Sequence, residues 1–485
     1  MGERGRGEKK ILWYSLAFMA FSTVWGFGNV INGFASYDGL KSVIPWILVL
    51  VLYFLPYTLM VGELGSAFRK AGGGVSSWIH ETIGPRMAFY AGWTYWVVHM
   101  PYISQKPTTA LIAAGWVIFG DGRVSEMSAV LLQFGSLAVF FLAMYLASHG
   151  ISWIKKIASV AGTSMFVMSI LFILMMIAAP YVTDGEGIRQ IDWSVQTFLP
   201  DFNLKFWLNL SILILAVGGC EKISPYVNKM KDPARGFPKG MIALAIMVMV
   251  CAVLGTIALG MIVDSDNIPH DFMTNGAYYA FQKVGEFYHM GNFLMIVYAL
   301  AYFLGQVSVV VLSIDAPLKM LLDSADTDYI PKGLLKQNKH GAYINGYWLI
   351  GIIVSILIIL PAFGIGSVNG IVKYLIRLNA ICMPLRYLWV FAAYIALKKL
   401  AERHASEYRF VKNKRLGMIL GGWCFAVTAF SCISGILNVD SGFELGMNIL
   451  TPFILVGLGL ILPAIARKTN RIEERSDKNV STDDR

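Results

Sequence analysis

Residues 22–30 read STVWGFGNV and lie in the middle of the first long apolar stretch of the chain, residues 11–37. Two glycines, Gly26 and Gly28, flank Phe27 in this stretch. Glycine is among the poorest helix formers, whereas a helix that crosses a lipid bilayer has to satisfy its own backbone hydrogen bonds. The pattern therefore predicts a membrane-spanning helix that is broken near residue 27.

The sequence as a whole has the composition of a membrane protein. Of its 485 residues, 56% are hydrophobic and 14% are charged, and the mean hydropathy is +0.60. Soluble proteins are far less apolar. Crossing a bilayer takes about 20 apolar residues. Twelve stretches are long enough: 11–37, 43–68, 86–119, 125–149, 155–180, 204–228, 238–263, 289–323, 343–363, 368–397, 415–437 and 446–466. We predict an all-α membrane protein with twelve transmembrane helices, numbered here as spans 1 to 12.

Lysine and arginine are concentrated in alternate loops. Residues 229–239, 332–339 and 398–415 are rich in bases, whereas residues 184–201 and 264–271 carry many acids. Basic loops face the cytoplasm, so the alternation predicts a multi-pass protein of the cell membrane with both termini in the cytoplasm. The bases form short clusters between apolar runs rather than one continuous patch, and no nucleic-acid partner is expected.

A second break is predicted in span 6, where residues 213–226 read LILAVGGCEKISPY. Broken helices at corresponding places of two halves indicate a transporter whose inverted repeats meet at a central binding site. The predicted division is a cytoplasmic N-terminal segment, a first five-helix inverted repeat, a second repeat, spans 11 and 12, and a polar, disordered cytoplasmic tail. These parts are residues 1–10, 11–180, 204–397, 415–466 and 467–485.

The two breaks offer the groups that bind an α-amino acid. Backbone N–H groups freed at residues 26–28, at the start of a half-helix, suit a carboxylate. Carbonyl groups that end the first half of span 6, around residues 215–218, suit an ammonium group. The alternative is that the glycines only let helices pack closely.

Three motifs resemble those of a known family. They are GELGSAFRKAGGGVSSWI (62–79), GGCEKISPYVNKMKDPARGFPKG (218–240) and KMLLDSADTDYIPKGLLKQNKHG (319–341). In this order they resemble the amino-acid/polyamine/organocation (APC) transporter superfamily, and within it the bacterial glutamate:GABA antiporter branch. The resemblance covers about residues 10–400, whereas spans 11 and 12 are generic.

The resemblance implies the site residues. The substrate carboxylate would lie on the backbone of Val24, Gly26, Phe27 and Gly28, and the amine on carbonyls of Leu215, Ala216 and Gly218. Glu221 matches the span 6 glutamate that couples substrate to gating in relatives. Two features depart from the family. Phe27 is bulky where relatives often have a small residue, which suggests a narrower pocket, and span 5 has no lysine of the kind some proton-coupled relatives carry. Lys106 in span 3 is the candidate substitute.

Charged residues at membrane depth need an explanation because each is costly there. Lys106 is interpreted as a counter-ion to a protein carboxylate such as Glu221, as a fixed charge near the broken helices, or as a contact for a substrate carboxylate. It is also a candidate carrier of a coupled proton. Arg377 in span 10 is expected to reach the vestibule. Glu63 is expected to anchor the loop next to it, and Asp315 and Lys319 to form a same-face pair.

Sequence signatures of enzymes are not found. Residues 26–33 do not fit G-x-G-x-x-G, no P-loop occurs, and His80 has no second histidine at zincin spacing. The five cysteines lie in apolar stretches without metal-like spacing, so no cofactor or metal is expected. We predict a secondary active amino-acid transporter that works by alternating access in the lipid bilayer. By resemblance it is an exchanger of glutamate/GABA type, with proton-coupled symport as the alternative and a channel or membrane-embedded enzyme less favoured.

Overall fold

The computed structural model describes residues 11–70, 74–149, 153–324, 329–400 and 406–483. These residues are almost entirely helical, and among them the only β-structure is two isolated bridges. The principal helices are α1 Trp13–Val24, α2 Gly28–Ser36, α3 Gly39–Ala67, α4 Val75–Thr82, α5 Pro85–Val97, α6 His99–Phe119, α7 Ala129–Ser148, α8 Trp153–Val182, α9 Leu204–Ala216, α10 Pro233–Gly260, α11 Phe272–Phe287, α12 Phe293–Ser324, α13 Ile344–Gly364, α14 Val368–Cys382, α15 Leu385–Lys399, α16 Lys414–Ile436 and α17 Gly442–Asp483.

The predicted break in span 1 is confirmed. Helix α1 ends at Val24, α2 begins at Gly28, and the two are bent by 47°. Between them Trp25 has an extended backbone, with φ −115° and ψ 141°. An extended residue cannot continue the helical hydrogen-bond ladder. The chain therefore leaves the helix for three residues at membrane depth.

The predicted break in span 6 is also confirmed. Helix α9 ends at Ala216, and Gly219 has φ +107°, which a residue with a Cβ rarely adopts. The chain continues as a 3-10 helix, Cys220–Lys229, rather than as an α-helix. Pro225 within this segment has no backbone N–H to donate. Glycine thus allows the turn, and proline helps to prevent a return to α-helix.

The count of twelve membrane spans is not confirmed. Among the described residues, ten helices are long and apolar enough to cross a membrane, and eleven spans result when α1 and α2 are joined. Predicted span 3 instead forms α5 and α6, which meet at Val98 and are not among the ten. Polar side chains such as His99, Gln105 and Lys106 lower the hydropathy of this region.

The packing of the helices supports the proposed inverted repeats, whose boundaries stay predictions. Helices of spans 2, 3 and 4 pack on those of spans 7, 8 and 9, in the pairs α3 with α10, α6 with α12, and α7 with α13. Two halves of five spans related by a pseudo-two-fold axis produce such pairs five spans apart.

The sequence also allows predictions for the two ends of the chain. The predicted N-terminal segment, residues 1–10, lies outside the described residues. The disorder of the tail, residues 467–485, stays a prediction, and the helical backbone of α17 is assigned as far as Asp483. Once a helix is nucleated, each further residue adds a hydrogen bond at little cost, so the membrane-spanning part of α17 supports the extension.

Candidate functional site

The break between α1 and α2 has free backbone donors next to open space. The N–H groups of Gly26, Phe27 and Gly28 have no backbone acceptor in the described part of the chain. A Cβ atom added to Gly26 or Gly28 would meet nothing within 4 Å. These donors lie at the N-terminus of α2, where the helix dipole favours negative charge. The corner can therefore accept a carboxylate.

The side chain of Phe27 is used for packing. Its ring is buried and lies 4.7 Å from the ring of Phe172, 5.1 Å from that of Phe281 and 6.1 Å from that of Tyr298, measured between centroids. The sequence suggested that this bulk would narrow the pocket. The ring is accommodated in the aromatic cluster, while space stays open beside both neighbouring glycines.

The break in span 6 lies against the break in span 1. Asn29 of α2 donates from Nδ2 to the carbonyl of Ala216, at 3.2 Å, and the carbonyl of Leu215 accepts from the N–H of Gly218, also at 3.2 Å. Each carbonyl keeps a second lone pair for a substrate ammonium group. Gly218 has a packing role as well, because its Cβ would lie 2.0 Å from the Tyr387 hydroxyl.

Glu221 is paired with an arginine that the sequence analysis did not identify. Arg386 Nε lies 3.1 Å from Glu221 Oε1, and both side chains are almost completely buried. The Tyr57 hydroxyl donates to Glu221 Oε2 at 2.5 Å. Among the described residues, Glu221 therefore forms its ion pair with Arg386 and not with Lys106, and the role of Lys106 stays a prediction. Helix packing decides this pairing, because Glu221 and Arg386 lie 165 positions apart in the sequence.

His99 helps to hold Arg386 and is neutral in this arrangement. Its Nδ1 lies 2.6 Å from the carbonyl of Tyr95, which can only accept, so Nδ1 carries the proton. Its Nε2 lies 3.1 Å from Nη1 of Arg386, which can only donate, so Nε2 is unprotonated. Protonation of His99 would place two donors against each other.

Lys106 of α6 and Lys222 of the 3-10 helix both make cation–π contacts with the ring of Tyr102. The Lys106 ammonium is 4.3 Å from the Tyr102 ring centroid, and the Lys222 ammonium is 5.3 Å from it. All three side chains are half-buried. Within the described residues, neither lysine has a carboxylate within 4 Å. Neither ammonium group therefore has a direct ion-pair partner among the described side chains.

Arg377 lies at one end of the bundle rather than at the breaks. Its Nη1 is 3.0 Å from Asp440 and 3.4 Å from Glu444. It lies on α14, whereas Arg386 lies on the next helix, α15. Burial alone would raise the pKa of Asp440, but the hydrogen bond from Lys373 and the charge of Arg377 lower this pKa below its usual value. A vestibule role for Arg377 stays a prediction.

Two other predicted polar groups have mainly structural partners. Lys319 Nζ is 2.9 Å from Asp315 Oδ2, which confirms the same-face pair on α12. Glu63 pairs with Lys398 at 2.5 Å and accepts from the N–H of Phe410 at 3.0 Å. It therefore anchors the segment between α15 and α16 rather than the loop that follows its own helix.

Arg386 and Tyr57 were missed by the sequence analysis, for different reasons. Arg386 lies inside an apolar span. Because a charge is costly there, its position in the sequence could have indicated a buried ion pair or a functional role. Tyr57 is one of many aromatic residues of the chain, and nothing in the neighbouring sequence distinguishes it from the others. Among the described residues, no group of three or more His, Cys, Asp or Glu could hold a metal ion.

Comparison with known proteins identifies the family. The profile of the amino acid permease family matches residues 11–462. The chain is 50% identical over 473 residues to the aspartate/glutamate permease AcaP of Lactococcus lactis subsp. cremoris, covering 96% of each chain. It is 25% identical to the inner membrane transporter YjeM of Salmonella typhimurium, covering 89% of this chain and 90% of that one. It is also 25% identical to a glutamate/gamma-aminobutyrate antiporter of Lactococcus lactis subsp. lactis, covering 79% and 75%. The chain belongs to the amino acid permease family of the APC superfamily and is a multi-pass amino-acid transporter.

Proposed function

We propose that this permease carries acidic amino acids, aspartate and glutamate, by alternating access. The observation that carries the proposal is the pair of adjacent breaks, with free N–H groups at Gly26, Phe27 and Gly28 and carbonyls at Leu215 and Ala216. Donors suit the α-carboxylate of a substrate and acceptors suit its ammonium group. The 50% identity to an aspartate/glutamate permease supports the acidic class.

Charge at the centre also supports an acidic substrate. Arg386 is offset by Glu221, whereas Lys106 and Lys222 have no carboxylate within 4 Å in the described part of the protein. Unpaired charge in a low-dielectric site is unfavourable and is relieved by an ion of opposite sign. An acidic amino acid brings one net negative charge and reduces this excess.

The mode of transport is proposed to be exchange, in line with the antiporter relatives. Purified protein in proteoliposomes, empty or preloaded with amino acid, is given labelled aspartate with and without an inward proton gradient. Uptake that needs preloading supports exchange. Uptake into empty vesicles that follows the proton gradient supports proton-coupled symport and contradicts exchange.

The carboxylate position is tested with one glycine and a matched control. Gly28→Leu places a side chain in the open space beside the free donors, and the expected result is a loss of about tenfold or more in aspartate affinity, since a hydrogen bond to a charged group is worth about 1.5–3 kcal/mol. The control is Gly422→Leu, at a half-buried glycine of α16 whose Cβ also meets nothing within 4 Å. Equal affinity in both variants would show that the break only serves packing.

A further inference from the structure

Lys222 occupies its place because of the break in span 6. It follows Gly219 by three residues, in the first turn of the 3-10 helix, and its Cε and Cδ lie 3.6 and 3.7 Å from the position of a Cβ on Gly219. A larger residue with negative φ at position 219 would change both the backbone path and this contact. The break thus places a lysine beside the backbone groups proposed to bind the substrate.

Lys106 approaches the same ring from α6. Tyr102 lies one helical turn before Lys106, so an i,i+4 contact brings its ring under the Lys106 ammonium at 4.3 Å from the centroid. Lys222 reaches this ring from span 6, at 5.3 Å. Cation–π contacts stabilise both ammonium groups but do not neutralise their charge.

The other charged groups of the centre are already engaged. Arg386 forms an ion pair with Glu221 and with no other carboxylate of the described residues. Glu221 also accepts a hydrogen bond from the Tyr57 hydroxyl. The Glu221 carboxylate forms its ion pair with Arg386, and no ion pair of Lys106 or Lys222 is found among the described residues. Two ammonium groups over one ring, with no carboxylate within 4 Å in the described part of the chain, suit an anion.

We propose that Lys106 and Lys222 together bind the side-chain carboxylate of the acidic substrate, with the Tyr102 ring as the platform that holds them. The inference rests on the proposed function, in which the α-carboxylate is taken by the backbone at residues 26–28. A second carboxylate on the same ligand then needs its own cationic partner. Lys106 and Lys222 supply it from two different helices, and they discriminate aspartate from its uncharged amide, asparagine.

The test compares a charged ligand with its neutral isostere. Binding of aspartate, glutamate, asparagine and glutamine is measured by competition on purified protein, for the wild type, Lys106→Met and Lys222→Met. We expect each variant to lose about tenfold or more in aspartate affinity, as a lost charge-assisted contact does, with little change for asparagine. Lys222→Arg should retain the preference for aspartate, because it keeps the charge.

The control is Lys205→Met, which removes a lysine that is exposed and paired with Asp38. It should leave the ratio of aspartate to asparagine affinity unchanged. An equal loss for all four ligands in Lys106→Met and Lys222→Met, or an unchanged ratio, overturns the assignment. A wild type that does not prefer acidic amino acids contradicts the proposed function itself, so the two failures are distinguishable.

Discussion

At the level of single residues, the Glu221–Arg386 pair is a buried ion pair next to the broken span 6. Its members are 3.1 Å apart and almost fully buried, so water screens neither charge. Removing both charges of such a pair is often tolerated, whereas removing one leaves the other buried and unpaired. The tyrosine and histidine contacts to this pair, from Tyr57 and His99, strengthen it further.

A double-mutant cycle tests this pair. Arg386→Met should reduce the free energy of unfolding by about 3–5 kcal/mol, because Glu221 then stays buried without a counter-charge. The double variant Glu221→Gln, Arg386→Met should recover most of this loss. Thermal unfolding in detergent measures both, with Lys205→Met as the exposed control. Additive effects of the two substitutions would show that the residues do not interact.

At the scale of the helix, α11 connects several parts of the transport core. Asn275 accepts from Trp116 Nε1 at 2.9 Å and from the Ser125 hydroxyl at 3.1 Å, and Tyr278 stacks on Trp116 with centroids 5.0 Å apart. At the start of the same helix, the ring of Phe272 lies 5.9 Å from that of Phe34 on α2, measured between centroids. Helix α11 therefore couples α6 to the half-helix that follows the first break.

Replacing Asn275 should loosen this connection. Asn275→Leu leaves two buried donors without their acceptor, and each unsatisfied group costs about 1–3 kcal/mol. We expect a lower unfolding temperature and faster hydrogen exchange in α11. The comparison is Gln282→Ala on the same helix, whose hydrogen bond to Asn292 is exposed and should matter little. Similar exchange rates in the two variants would contradict the coupling role of Asn275.

At the scale of the whole molecule, the orientation in the membrane follows from the loops. Bases are concentrated at one end of the bundle, which we propose to be the cytoplasmic end. The five cysteines are free and buried. Introduced cysteines can therefore be labelled against a low background.

Two single-cysteine positions test the orientation. Glu186 and Lys336 are both exposed and lie in loops of opposite predicted side. A membrane-impermeant maleimide should label Glu186→Cys in intact cells and Lys336→Cys only after permeabilisation, while the wild type stays unlabelled. The reverse pattern would place both termini outside.

Features that depend on local composition could be predicted from the amino-acid sequence. About 20 apolar residues suffice to cross a bilayer, so most spans were predictable from hydropathy. The breaks were predictable because glycine acts through its own backbone, as at Gly26 and Gly219. Span 3 shows the limit of this approach. Because of its polar residues, it is not among the described helices that are long and apolar enough to cross a membrane.

Which polar groups meet could not be predicted from the sequence, because it depends on the packing of distant helices. Glu221 lies 165 positions before Arg386, and Lys106 lies 116 before Lys222, yet each pair converges at the centre. Sequence patterns report helical neighbours three or four residues apart, as for Asp315 and Lys319. Contacts between distant helices depend on how the helices pack against one another, so the partner of Glu221 was set by the packing of α15 against the broken span 6.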